Sequence, residues 1–136
     1  MIDIQTKMKS LFGGSCYGYC LAYVFGDPEQ KDNIKYLTSC FLEGWKRGYI
    51  DDEGYVAYPL QYIQMLCGIK YKDVEKPQIK QLLELPDGPQ IVELKNPFGG
   101  SHFVVCNNKG ELLFDASGES ESWKLNLPIS YRKFIK

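Results

Sequence analysis

Ser101-His102-Phe103-Val104-Val105-Cys106-Asn107-Asn108-Lys109-Gly110-Glu111-Leu112-Leu113-Phe114-Asp115 reads as two apolar runs joined by a turn. Ser101 to Cys106 and Glu111 to Asp115 have strand composition, and Asn107-Asn108-Lys109-Gly110 between them is a strong hairpin signal. The first strand carries the only histidine of the chain, His102, and the second ends on a carboxylate, Asp115. Register decides whether the two meet. If Asn107 pairs with Gly110 around a two-residue turn, His102 stands directly opposite Asp115. If Gly110 instead forms a bulge after a three-residue loop, the register moves by one and Asp115 faces the other side of the sheet. Asn108-Lys109-Gly110 suits the bulged form, so both registers stand open at this level.

Outward from the hairpin, Gln90 to Leu94 is another short apolar run, following Pro86-Asp87-Gly88-Pro89, and Ile129 to Ile135 alternates as one more strand. Upstream the period becomes helical. Ser15 is a suitable N-cap for a helix from Cys16 to Phe25, closed by Gly26, with Leu21, Val24 and Phe25 at helical spacing. Pro28 opens a second helix whose stripe is Ile34, Leu37, Phe41, Leu42 and Trp45 and which ends near Gly48. Asp51, Asp52 and Gly54 make a turn. Pro59 then opens a shorter helix through Leu60, Ile63, Leu66 and Cys67 that Gly68 stops. Gln78 to Leu85 has room for one or two helical turns. The expected architecture is α+β, with N-terminal helices packed on a C-terminal antiparallel β-sheet.

The chain has 136 residues, the size of a single domain over 1–136, and 44% apolar residues supply its core. Its formal net charge is -1, without the basic excess of a nucleic-acid surface. No apolar run approaches the roughly 20 residues of a membrane span, and Met1 to Phe12 lacks a signal-peptide stretch. Cysteines number five, an odd count with spacings unlike a disulfide scaffold. Reduced thiols and a cytoplasmic location are expected. Cys20, Cys40, Cys67 and Cys106 lie within apolar patterns and are assigned to packing.

Cys16 differs from the other four. It opens a predicted helix, where backbone N–H groups and the helix dipole stabilise a thiolate. Its neighbours Gly13-Gly14-Ser15 and Gly18 are small enough for a substrate backbone to approach. Nucleophilic catalysis by cysteine needs a thiolate, an imidazole to share its proton and an acceptor that fixes the imidazole. Cys16, His102 and Asp115 supply those three parts. A zinc site built from Cys16-x3-Cys20 and His102-x3-Cys106 fails on distance, because strand residues four apart are separated by roughly 13 Å. No metal or organic cofactor is required.

Gly14-Ser15-Cys16-Tyr17-Gly18-Tyr19-Cys20-Leu21-Ala22-Tyr23 resembles the nucleophile helix of small papain-like cysteine peptidases, in particular the bacteriocin-leader (double-glycine) peptidase-like branch. Ser101-His102-Phe103-Val104-Val105, Gly110 and Phe114-Asp115-Ala116 are similar to that branch's histidine strand, hairpin and terminal aspartate. The resemblance implies a papain-like fold with Cys16 as nucleophile, His102 as base and Asp115 as orienter. Papain-like enzymes place a glutamine about six residues before the nucleophile to hold the oxyanion. Ser10 stands there in this chain, and Gln5 is the nearest upstream candidate for that role. The expected function is hydrolysis of a peptide or other amide bond, with a peptide or protein as substrate. The alternative is a catalytically silent papain-like domain that binds such a partner. Amide-cleaving cell-wall hydrolases and acyltransferases use the same three residue types.

Overall fold

The computed structural model describes residues 16–95, 101–116 and 127–136. The chain divides into two units, Met1–Lys70 and Tyr71–Lys136. Among the described residues the α-helices lie in the first and the β-strands of both antiparallel sheets in the second, so the fold class is α+β.

In the first unit, helix α1 (Cys16–Phe25), helix α2 (Ile34–Lys46) and helix α3 (Pro59–Cys67) pack pairwise. Six consecutive residues of α1, Gly18 to Tyr23, are buried, as befits a helix covered all round rather than along one stripe. Close approach is bought with glycine: a Cβ at Gly18 would lie 2.8 Å from the Phe41 ring, and one at Gly44 would lie 2.7 Å from the Tyr62 ring. Gly18 therefore serves helix packing rather than access for a substrate. Tyr19 stacks on Phe41 at 5.0 Å between ring centroids and shares a 3.0 Å hydrogen bond with Thr38 Oγ1.

Helix boundaries match the expected ones for α1 and α3, the latter ending on Gly68 at φ +77°. The second helix differs. Pro28 starts only a 3-10 turn, Pro28–Gln30, capped by the Asp27 carboxylate. The α-helix begins at Ile34 because Asn33 accepts hydrogen bonds from the N–H groups of Lys35 and Tyr36, the ordinary work of an N-cap. Ile34 itself is exposed, and Leu37, Phe41 and Gly44 form the buried stripe.

The Tyr62 hydroxyl is buried and has no hydrogen-bond partner among the described residues. Burial, and proximity to Cys40, Tyr19 and Tyr36, push the phenol well above its ordinary value. A buried polar group without a partner costs about 1–3 kcal/mol. Tyr62→Phe is accordingly expected to raise the stability of the protein by about 1 kcal/mol in urea unfolding. A loss of stability instead would show that a buried water satisfies the hydroxyl.

In the second unit, strand β1 (Asp73–Glu75) pairs with β6 (Lys133–Ile135). A four-stranded antiparallel sheet has the order β4 (Leu112–Phe114), β3 (Ser101–Cys106), β2 (Gln90–Lys95), β5 (Leu127–Tyr131). Strand alternation puts His102, Val104 and Cys106 on the face shared with Val92 and Leu94. Val92, Leu94, Val104 and Cys106 pack there with Ile79 and Leu85. Gln78 to Leu85 is not two helical turns: Gln78 bridges to Ser130 and the helical part is the 3-10 turn Leu82–Glu84.

The expected final strand is two strands in two sheets, interrupted at Arg132. Its guanidinium is buried over the Phe103 ring at 5.0 Å, donates to Ser130 Oγ at 2.9 Å and pairs with Glu93 at 3.4 Å. Burial pushes the Glu93 carboxyl up, but the Ser101 hydroxyl, the Arg132 charge and the Ser130 hydroxyl outweigh it and leave the group below its ordinary value. A charged side chain held inside needs such partners, and they lie on β2 and β5 rather than along β6.

Candidate active site

The imidazole and the carboxylate meet. His102 Nε2 and Asp115 Oδ1 are 2.8 Å apart, with side chains 22% and 4% exposed. A carboxylate so far from water is weakly screened, which favours a short, charge-assisted bond. The ring keeps enough surface to meet a substrate.

The route by which they meet is neither of the two registers expected from sequence. The loop is the bulged form: Asn107 Oδ1 accepts from the N–H groups of Lys109 and Glu111, Gly110 takes φ +80°, and Cys106 pairs with Leu112. That shift alone would turn Asp115 to the wrong side. A second shift follows at once, since Val105 pairs with Phe114 and Leu113 is left over as an extra residue. Two slips of one residue restore the original side. Continued one step past Phe114, this register sets Asp115 beside Val104, diagonal to His102, within reach of an aromatic side chain across strands.

Cys106 packs in the core as expected, and what sequence reading did not draw out is that it faces the same side as the pair. It lies on the same face of β3 as His102 and is buried. Desolvation, with the Asp115 charge adding to it, pushes its thiol from 9.0 up to about 12. Strand alternation was the available signal: residues 102, 104 and 106 share one side. Cys106 is thereby fixed as a neutral thiol at all ordinary pH.

Cys16 is half-buried and is the first residue of α1, at the positive end of the helix dipole. It lies in the first unit, whereas His102 and Asp115 are brought together in the second. All five cysteines are free thiols. Cys20 is fully buried as expected, but Cys67 is exposed, its thiol donating to Ile63 O at 3.3 Å on the last turn of α3, and Cys40 is half-buried. Burial pushes the Cys40 thiol up, and its hydrogen bond to Tyr36 pulls against that shift. Gln5, Ser10 and the Ser15 cap lie outside the described residues, as does the Gly99-Gly100 entry to β3.

Among the described residues no group of three or more His, Cys, Asp or Glu is arranged to hold a metal ion, and no helix is long and apolar enough to cross a membrane. What fold and site define together is an α+β protein with an aspartate-held histidine on the β3–β4 hairpin at one edge of the sheet. The chain matches no family model, no curated protein and no solved structure.

Proposed function

We propose that this chain is a thiol hydrolase of papain-like fold, its N-terminal helices packed on its C-terminal sheet, that cleaves a peptide or other amide bond with Cys16, His102 and Asp115. The observation that carries the reading is the bond between His102 Nε2 and the buried Asp115 carboxylate. With Nε2–H donating to that carboxylate, the neutral ring is fixed in the tautomer whose acceptor is Nδ1. Nδ1 is then the nitrogen that takes the thiol proton.

In this mechanism the Cys16 thiolate attacks the amide carbonyl, forming a C–S bond and a tetrahedral oxyanion beside the first turn of α1, where the Cys16 N–H is a donor. Collapse breaks the C–N bond. The imidazolium gives its proton to the departing amine, leaving a thioester on Cys16. Water attacks that thioester, its proton passes to Nδ1, and the carboxylic acid and free thiol are released. A reducing, cytoplasmic setting suits the chemistry, because an oxidised Cys16 cannot attack. Gln5 is proposed as the second oxyanion donor.

Iodoacetamide provides the test. Fast alkylation of Cys16, independent of pH around neutrality and slowed in His102→Ala, is the expected result for an ion pair shared with the imidazole. Slow alkylation that rises with pH as for an ordinary thiol, unchanged in His102→Ala and accompanied by no peptide turnover, would leave the silent binding domain as the better reading.

A further inference from the structure

The outer edge of β5 is covered along part of its length. Tyr131 N donates to Pro77 O at 3.1 Å and Ile79 N donates to Ile129 O at 2.9 Å. After Ile79 the covering segment leaves the strand, because the Glu84 carboxylate accepts from the N–H groups of Lys80 and Gln81 and winds the chain into the 3-10 turn. Between that turn and the start of β5 a groove of about 630 Å³ opens, lined by Ile79, Lys80, Glu84, Lys95, Leu127 and Ile129, with Gln78 and Pro128. Its size falls within the usual range of ligand sites.

The lining is of two kinds. Ile79, Pro128 and Ile129 give an apolar floor, and Leu127, at 71% exposed, is an apolar wall. Lys80 and Lys95 supply two positive charges, and neither forms an ion pair among the described residues. The one carboxylate among the described lining residues, Glu84, already accepts two backbone N–H groups, and these bonds, with a smaller contribution from the Lys80 charge, hold it below its ordinary value. A lone surface leucine or lysine is unremarkable. Here both kinds line one concavity.

The groove is also near the imidazole in the sheet. Leu94 of β2 pairs with His102 on one side and with Pro128 on the other. Two inter-strand spacings, roughly 10 Å, therefore separate the His102 and Pro128 backbones, a span of about three residues of extended peptide.

We propose that this groove binds an extended acidic segment of the substrate, a glutamate or aspartate side chain between Lys80 and Lys95 with an apolar neighbour against Leu127 and Ile129. Its role as a subsite rests on the hydrolase reading above; the binding itself does not. The partner is a peptide in trans rather than a second copy of this chain, since two lysines facing a two-fold related pair of lysines would repel.

The test is fluorescence anisotropy of a short, capped, dye-labelled peptide alternating glutamate and leucine, titrated with the full-length Cys16→Ala protein so that no turnover intervenes. The glutamate peptide is expected to bind about tenfold more tightly than its glutamine counterpart, and the Lys80→Glu, Lys95→Glu double variant to abolish that preference. The charge-matched control Lys72→Glu, Lys109→Glu should leave it unchanged. Equal binding of the two peptides, no binding of either, or a preference that survives the double reversal overturns the proposal. So does a concentration-dependent dimer that Leu127→Ser dissolves, which would assign the groove to a second copy. Selective peptide binding by a protein whose wild type cleaves nothing would sustain the binding site and dismiss its subsite role.

Discussion

Replacing His102 with alanine is expected to lower peptide turnover by about 10³-fold, because no second imidazole exists in the chain to take the Cys16 proton. Asp115 variants then separate aim from charge. Asp115→Ala removes the oxygen that stands 2.8 Å from Nε2, frees the ring to rotate and should cost on the order of 10²-fold in kcat/KM. Asp115→Asn keeps an amide oxygen that accepts Nε2–H, and its kcat/KM should stay within about tenfold of wild type. The ratio of the two variants is the informative quantity. A fall of the asparagine variant to the alanine level would mean that the negative charge matters more than the aim. Unchanged kcat/KM in both would end the catalytic role given to the pair. Circular dichroism of each variant checks the fold, since Asp115 is also a buried group.

Alkali should weaken this protein through Cys106. Its thiol ionises near 9.0 in the unfolded chain but is pushed up to about 12 in the folded one. A raised folded value favours the native state below the unfolded value, and that advantage is lost as the pH climbs from about 9 to about 12. Across the window the loss approaches 1.4 kcal/mol per pH unit, on the order of 4 kcal/mol altogether. Lysines and tyrosines titrate in the same range, so the comparison is with Cys106→Ala. Urea midpoints measured on either side of the window should fall further for wild type than for the variant. Parallel losses would show that the thiol ionises inside the fold. Because the Asp115 charge contributes to the shift, Asp115→Asn should narrow the window from its upper end.

Which parts of this structure were legible in the sequence follows from how local their causes are. The ends of α1 and α3 depend on residues next to them, notably Gly68, and strand β3 spans Ser101–Cys106 as its apolar run does. Asn33 was equally local, but the stripe carried through from Pro28 concealed it. Arg132 was illegible for another reason: its partners Glu93, Ser130 and Phe103 come from three strands, and only the assembled sheet shows that a charge can sit inside. The three-residue strand β1 owes its state to pairing with β6 at the far end of the unit, which no window of local sequence contains.

The candidate site divides in the same way. A single histidine at the head of a strand and an aspartate at the tail of the next were enough to nominate the pair. The bulge at Leu113 was not readable, because it falls inside β4, beyond the turn residues whose chemistry sequence can interpret. Cys67 was misplaced since the apolar period of α3 runs one residue beyond its buried face.

The two extra residues of the hairpin, one in the loop and one at Leu113, lie outside the ladder between β3 and β4. Removing either leaves Val105 against Phe114, and the carboxylate stays on the imidazole's side. Only a change that moves the ladder itself by one position turns the carboxylate away. Kin of this chain are thus free to trim the hairpin at both places and still keep the pair.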